Sequence, residues 1–473
     1  MSETLGRSTL RGVLWSFAER FSSQAIGFVV IMVMARILTP SDYGLVGMLT
    51  IFIQLGTTLS DSGISQALIR MKDRSDRDTS TAFYFNVMTG AALYGLIWLL
   101  APHIAHYYSE PDLTSLARVI GLMIPVSALM VVQRALLSSR MDFRTQTRAS
   151  LVAYGISGVL GIWMAYSGLG VWSIAYYQLS TQTLLCVMLW ILSRWWPRSG
   201  FSRVAFRRMF GFSSRLGVAE IMDILYRNVY LLVIGKVYKA SDLGYFTRAQ
   251  QVGGFLSANV SYIVQRVSYP SLCHHQDETV RLRSSFMKML GVSSLFIFPI
   301  MWGIIVLSGD VIYLLLGDKW MFSARLLPIL SLGFMWHHVQ SLNLQLLQVV
   351  GRSDLYLRIE IVKKAAGLLI LAVSVPFGIE AMCWSFVGSS AFSLLCNTWY
   401  NGRMFDTGLW SQLKNIGPVY IVSGTAAVVG LLSASRIEIV WLHLTVALVV
   451  EFVIYGIWAW FRRRDDILSV CRI

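Results

Sequence analysis

The sequence predicts an all-α integral membrane protein of about fourteen transmembrane helices, a number set by how many ~20-residue apolar runs the chain holds. Three observations carry that expectation. Hydrophobic residues make up 55% and charged residues only 14% of the 473 positions, with a mean hydropathy of +0.60; a soluble domain carries about a quarter charged residues. The apolar residues fall in long runs separated by short polar stretches. The basic residues gather in alternate loops, the signature of membrane orientation. The last point also accounts for the net charge of +15, so nucleic acid is not expected as a partner.

The expected spans are 12–38, 43–68, 80–105, 114–137, 147–167, 170–193, 209–236, 242–269, 286–307, 322–349, 355–376, 379–401, 415–433 and 440–461. The N-terminal "MSETLGRSTLRG" is polar and leads into the first span without a small-residue cleavage site, so a retained helix is expected and not a cleaved signal. The second and third spans are separated by the basic "RMKDRSDRD", the third and fourth by "PHIAHYYSEPDL", which has no Lys or Arg. Its histidines and tyrosines, His103, His106, Tyr107 and Tyr108, read as an interface belt. "SSRMDFRTQTR" precedes the fifth span, and only "SGLG" joins the fifth to the sixth, which demands a tight antiparallel hairpin. "RWWPRSGFSRVAFRR" enters the seventh, "RLRSSFMK" the ninth and "GRSDLYLR" the eleventh; "PFGIE" joins the eleventh to the twelfth with no basic residue. "NGRMFDTGLWSQLK" and the terminal "FRRRDD" are again basic. By the positive-inside rule the basic loops and both termini lie in the cytoplasm. An even number of crossings follows. No loop is long enough for a soluble domain.

A short repeat organises these spans. Ser41, Asp42 and Gly44 recur as Ser241, Asp242 and Gly244, each copy preceded by a basic residue, Arg36 or Lys236. "GLGVWS" (168–173) is echoed by "FGIEAM" (377–382), and "LLC" recurs at 184–186 and 394–396. The expected organisation is therefore two parallel six-helix repeats, residues 1–200 and 201–405, related by an axis along the membrane normal. Two further helices and a tail fill 406–473. Ser and Asp of the repeated turn are expected to cap the following helix, with Gly allowing close packing.

The stretch "ARILTPSDYGLVGML" at 35–49, taken with this topology, resembles Wzx-type polysaccharide flippases, in the colanic-acid and exopolysaccharide branch of the multidrug/oligosaccharidyl-lipid/polysaccharide (MOP) exporter superfamily. The resemblance covers the whole chain. It implies two lobes around a central cavity and alternating access. It also implies a bacterial inner-membrane location, and an undecaprenyl-diphosphate-linked oligosaccharide carried to the periplasmic leaflet. A polysaccharide polymerase and export machinery would be the partners.

Candidate residues come from charges inside the spans, which are costly and face an interior or a watery cavity. The first span carries Ser16, Arg20, Ser23, Gln24 and Gly27 along one stripe, with Glu19 beside them; its repeat-mate carries Glu220, Asp223, Arg227 and Tyr230. Gln54, Thr57, Thr58, Asp61 and Ser65 share a face of the second span. Further polar positions are Arg248 and Gln251, then His337, Ser341, Gln345 and Gln348, then Glu360, Lys363 and Lys364. Facing halves would bring such stripes around one pathway. A diphosphate needs guanidinium groups to replace its lost hydration, so Arg20, Arg227 and Arg248 are the first candidates for a cationic cavity. Arg118, Arg134, Arg266 and Lys363 come second. Gln24, Tyr226, Asn228 and Tyr230 are available to sugars. Glu19, Asp61, Glu220 and Asp223 are candidates for coupling H⁺ or Na⁺. Two other readings stay open: Asp223 and Arg227 stand at i,i+4 and can neutralise each other, and Arg134, Arg215 and Arg266 lie near helix ends and can snorkel.

No cofactor is expected. Five scattered cysteines show no metal or disulfide spacing, and adjacent Cys273, His274 and His275 do not have the geometry to converge on one ion. No phosphate-binding loop suggests ATP drive, and the short outer loops offer no catalytic constellation. An enzyme is therefore not expected. A cation-drug antiporter of the same superfamily would favour acids and aromatics over Arg, while a peptidoglycan-precursor flippase shares the diphosphate and is separated only by the stretch at 35–49.

Overall fold

The computed structural model describes residues 22–464, apart from positions 62 and 72 and the side chains at 212, 215, 216, 219, 266, 267, 270 and 353. Helices account for most of these residues, and no strand occurs among them. The chain divides between Gly244 and Tyr245 into two compact units.

The first unit holds α1 (Ser22–Ile37 as described), then α2 (Pro40–Asp61), α3 (Ile64–Arg70), α4 (Asp76–Tyr108), α5 (Leu113–Gly121), α6 (Met123–Ser139), α7 (Phe143–Tyr166), α8 (Val171–Ser193), α9 (Arg203–Arg227) and α10 (Val229–Val237). The second holds nearly all of α11 (Ala240–His274), then α12 (Thr279–Val306), α13 (Ser308–Leu316), α14 (Met321–Phe334), α15 (His337–Val349), α16 (Ser353–Ser374), α17 (Ile379–Phe405), α18 (Leu409–Ala434) and α19 (Val440–Arg462).

Helix occupies most of the described part of every expected span. Length and apolarity single out nine spans among the described residues: α2 with α3, α4, α5 with α6, α7, α8, α12, α17, α18 and α19. The protein is therefore a multi-pass membrane protein. The helices outside this set are the described part of α1, the broken pairs α9–α10 and α14–α15, the short α13, and the more polar α11 and α16.

The breaks have local causes. Gly63 adopts a left-handed φ of 71° between α2 and α3, a conformation that costs glycine little. At Asn228 the chain pauses between α9 and α10, and its side-chain Nδ2 donates to Ile224 O and to Gln54 Oε1, both at 2.9 Å. The "SGLG" linker turns through Gly168 and Gly170, with φ of 79° and 55°. Across the hairpin Ser157 meets Thr181, whose Oγ1 donates at 2.6 Å. One turn further, Gly161 lies against Tyr177, where a Cβ would come within 2.8 Å. That order of pairs makes α7 and α8 antiparallel, with small residues at the seam as membrane packing favours.

The repeated turn is a capping box, and the capping expectation needs a correction. Thr39, not Ser41, is the N-cap of α2. Asp42 Oδ2 accepts from the backbone N of Thr39 at 2.8 Å and from its Oγ1 at 2.7 Å, while Thr39 Oγ1 accepts from Asp42 N at 3.3 Å. Pro40 fills the first helical position, where its missing N–H costs nothing. In the second copy position 239 is lysine, which has no hydroxyl, so one half of the box remains: Asp242 Oδ2 accepts from Lys239 N at 3.3 Å. Ser41 and Ser241 sit inside the first turns.

The glycines of the two copies interlock. A Cβ at Gly44 would lie 1.7 Å from the carbonyl oxygen of Ala240, and one at Gly244 would lie 1.9 Å from that of Pro40. The contacts are reciprocal between positions 200 apart, as a two-fold arrangement of the two turns requires. The basic residue before the second copy, Lys236, donates to Tyr107 O and lies 4.3 Å from the centre of the Tyr107 ring.

Candidate functional site

Within the first unit a cavity of about 500 Å³ opens between α2–α3, α6 and α9. Three ties hold α9 in place. Met209 joins a buried cluster with Ile64 and Leu68 of α3, Phe83 of α4 and Val132 of α6. Arg208 Nη2 donates to Asp78 Oδ2 at 2.6 Å, and Asp78 is itself part of the capping box that starts α4 from Ser75. The preceding basic linker is pinned to α4 by Ser199 N donating to Ser80 Oγ at 3.2 Å and Ser202 N to Thr81 Oγ1 at 3.0 Å. The seventh expected span therefore packs within the first contact unit, whereas the repeat assigns it to the second half; packing and repeat divide the chain at different places.

The whole polar face expected on the second span, Gln54, Thr57, Thr58, Asp61 and Ser65, lines this cavity. From α9 come Glu220, Asp223 and Arg227; from α6 come Arg134, Ser127 and Ser138. Asp61 ends α2 and accepts from Ser65 N at 2.9 Å and Ser65 Oγ at 2.6 Å, which fixes its carboxylate across the helix break. Arg227 pairs with Asp223 at 2.5 Å while remaining three-quarters exposed.

Three carboxylates thus face two guanidinium groups among the described lining residues, where the sequence suggested a cationic cavity. The stripe spacing on α9 showed both signs of charge; it did not show that Asp61 and Glu220 would share one wall space with Arg227. The arrangement suits a hydroxyl-rich ligand with an anionic end beside Arg134 and Arg227. Carboxylates within the same space suit a small cation.

The other candidates lie elsewhere. Glu19 and Arg20 fall outside the described residues. Gln24 is half-buried on α1, and Tyr226 and Tyr230 are half-buried on α9 and α10. Asn228 is buried and spends its amide on Gln54 and Ile224. Arg118 stacks on Trp98, its Cζ 4.1 Å from the ring centre, an arrangement that serves a cation at a helix end. Arg248 stands on α11 in the second unit. Lys363 pairs with Glu360 at 2.6 Å and is only 10% exposed. Gln345, part of the expected stripe on α15, is packing glue: its Nε2 donates to Gln265 O at 2.8 Å and its Oε1 accepts from Ser268 Oγ at 2.5 Å. Sequence reasoning passed over Ser127 and Ser138, because α6 reads as an ordinary apolar run with isolated hydroxyls.

Comparison with known proteins adds to this geometry. The chain is 23% identical over 384 residues, 80% of its length and 79% of the relative's, to the teichuronic acid biosynthesis protein TuaB of Bacillus subtilis. It is 26% identical over 333 residues, 70% of its length and 67% of the relative's, to the lipopolysaccharide biosynthesis protein WzxC of Escherichia coli. Among solved structures, the lipid II flippase MurJ in an inward closed conformation superposes with a TM-score of 0.77 at 14% identity, covering 96% of this chain and all of that one; at that identity the likeness speaks for the fold. The model of the family described as "Polysaccharide biosynthesis protein" matches residues 33–325, a stretch that includes both copies of the repeated turn and the whole of the cavity. On that match the chain belongs to the polysaccharide biosynthesis protein family.

Proposed function

We propose that the protein is a flippase that moves undecaprenyl-diphosphate-linked oligosaccharide units from the cytoplasmic to the periplasmic leaflet of a bacterial inner membrane. The observation that carries this reading is the cavity itself: hydroxyls, carboxylates and two arginines enclose about 500 Å³ among membrane helices of a polysaccharide biosynthesis protein. Glycan hydroxyls match the Thr and Ser lining. The diphosphate matches Arg134 and Arg227, whose planar forks hold phosphate oxygens in pairs. The prenyl tail stays in lipid, so only the polar head needs a polar path. Fourteen crossings in two parallel six-helix repeats, both termini in the cytoplasm, and alternating access coupled to H⁺ or Na⁺ complete the reading. A polymerase and export machinery are the expected consumers of the product.

The test is transport in liposomes. A fluorescent undecaprenyl-diphosphate oligosaccharide is placed in one leaflet, and a membrane-impermeant quencher reports its movement. Movement above protein-free liposomes supports the reading; none, across several glycans and with pH and Na⁺ gradients imposed, overturns it. A second reading, transport of a peptidoglycan precursor, draws on the likeness of fold to the lipid II flippase. Lipid II in the same assay decides between them, because preference for that substrate over other diphosphate-linked glycans would transfer the assignment. Efflux of small cations, with no lipid movement, would instead favour a drug antiporter of the superfamily.

A further inference from the structure

The last helix carries a carboxyl that none of this explains. Between His443 near the start of α19 and Arg462 at its end, the only charged residue of the helix is Glu451, midway between its ends. Glu451 is 1% exposed, and neither of its carboxyl oxygens has a hydrogen-bond partner among the described residues. Room for it is made by two glycines on the helices packed against α19. A Cβ at Gly303 of α12 would come 2.9 Å from Glu451 Oε2; one at Gly430 of α18 would come 2.4 Å from Ala447 O and 3.4 Å from Glu451 Cβ. Two more polar atoms of the same three-helix packing, Trp302 Nε1 and Ser423 Oγ, are also buried without a partner among the described residues.

The titratable and charged groups around it are engaged elsewhere. His443 of α19 pairs with Asp310 of α13. Tyr455, one turn along α19, donates its hydroxyl to Leu295 O at 2.8 Å. Tyr420 of α18 packs its ring on Trp302 and Phe298 of α12. Arg463 bonds to Asn415. An ionised carboxylate without a partner costs several kcal/mol in such surroundings, and an acid at this depth in a membrane protein marks an ion path unless a partner neutralises it. Here no such partner stands among the described residues, and glycines on both neighbours admit the group.

We propose that Glu451 is a proton-exchange site in the α12–α18–α19 packing, separate from the cavity of the first unit. The carboxylate takes one proton from hydronium, its O–H bond forming as the hydronium O–H bond breaks and leaves water, and the neutral acid returns the proton to water by the reverse step. Resting on the flippase reading, the second half of the proposal is that this exchange supplies the proton coupling of transport.

The test has two arms. Infrared difference spectra between acid and alkaline buffers are recorded on the full chain in liposomes, wild type against Glu451→Gln. A pH-responsive protonated-carboxyl C=O band present in the wild type and lost in the variant supports the site; identical difference spectra overturn it. Should the Gln variant fail to fold, Glu451→Asp serves, because its band must shift relative to the wild type and an unshifted band counts against the proposal. The second arm measures stimulation of lipid movement by a pH gradient. Loss of stimulation in Glu451→Gln with retention in Glu451→Asp supports coupling, and stimulation unchanged in Glu451→Gln overturns it. A wild type that moves no lipid fails the flippase reading, while the infrared arm still decides the site.

Discussion

Gly44 and Gly244 have no side chain because the chain has no room for one. A methyl at position 44 would overlap the Ala240 carbonyl, and neither the capped start of α2 nor that of α11 has a flexible group to give way. Overpacking costs about 1–3 kcal/mol when side chains yield, and backbone yields less readily, so Gly44→Ala is expected to destabilise by about 3 kcal/mol or more. Gly95→Ala in α4 is the control: nothing lies within 4 Å of its added methyl, and the better helix former leaves stability unchanged or raises it by up to about 1 kcal/mol. Thermal unfolding in detergent compares the two. On the proposed reading, Arg227→Ala and Arg134→Ala at the cavity would each remove charged hydrogen bonds to a diphosphate worth about 1.5–3 kcal/mol. Each is expected to lower apparent substrate affinity about ten- to a hundredfold with folding intact, as concentration-dependent flipping would show. Wild-type affinity in both single variants and in the double variant would remove the arginines from the site.

At the scale of the element, polar side chains take two roles that sequence alone does not separate. On α2 the spacing of Gln54, Thr57, Thr58 and Asp61 was enough to assign a shared face, since helix geometry fixes it, and Ser65 just past the break at Gly63 joins it. On α15 the same spacing leads to a different outcome. Gln345 binds α11, and Asn343 forms a reciprocal amide pair with Gln412 of α18: Asn343 Nδ2 donates to Gln412 Oε1 at 2.9 Å, and Gln412 Nε2 donates to Asn343 Oδ1 at 2.8 Å. Asn401 of α17 completes the knot by donating to Asn343 Oδ1 at 2.7 Å. Periodicity says which residues share a face; it is silent on whether the opposite helix offers amides or an opening. Glu451 shows the converse. Its signal, one acid in a long apolar run, was present in the sequence, but a lone residue makes no stripe. Asn343→Leu is expected to destabilise by about 1–3 kcal/mol, because it strands two buried amides. Lipid movement per folded molecule should be unchanged, and a transport defect without a stability defect would place this knot in the pathway.

At the scale of the whole molecule, the pair of matching turns was legible because they are short, capped and interlocked, so few residues can stand there. The number of crossings was less so: α11 and α16 are helical, yet too polar to qualify by composition, since helices that line a pathway or bind one another through polar groups lose the apolar signal that identifies them. The two compact units do not follow the repeat either, because α9 and α10 pack with α2–α4. Topology is therefore the prediction with most at stake. With the proposed fourteen crossings, the positive-inside rule predicts Asp112 and Glu438 in the periplasm and Arg198 and Asp277 in the cytoplasm. In a background where Cys186, Cys273, Cys383, Cys396 and Cys471 are replaced, single cysteines at these four exposed positions are expected to divide two and two. An impermeant maleimide applied to intact spheroplasts should label Asp112→Cys and Glu438→Cys, and should reach Arg198→Cys and Asp277→Cys only after lysis. Arg198 and Asp277 are separated by α9–α10 and α11, so labelling of one without the other would show that these polar helices do not cross as a pair. Labelling of Glu438→Cys only after lysis would break the count from α12 to α18, and the even-numbered topology with it.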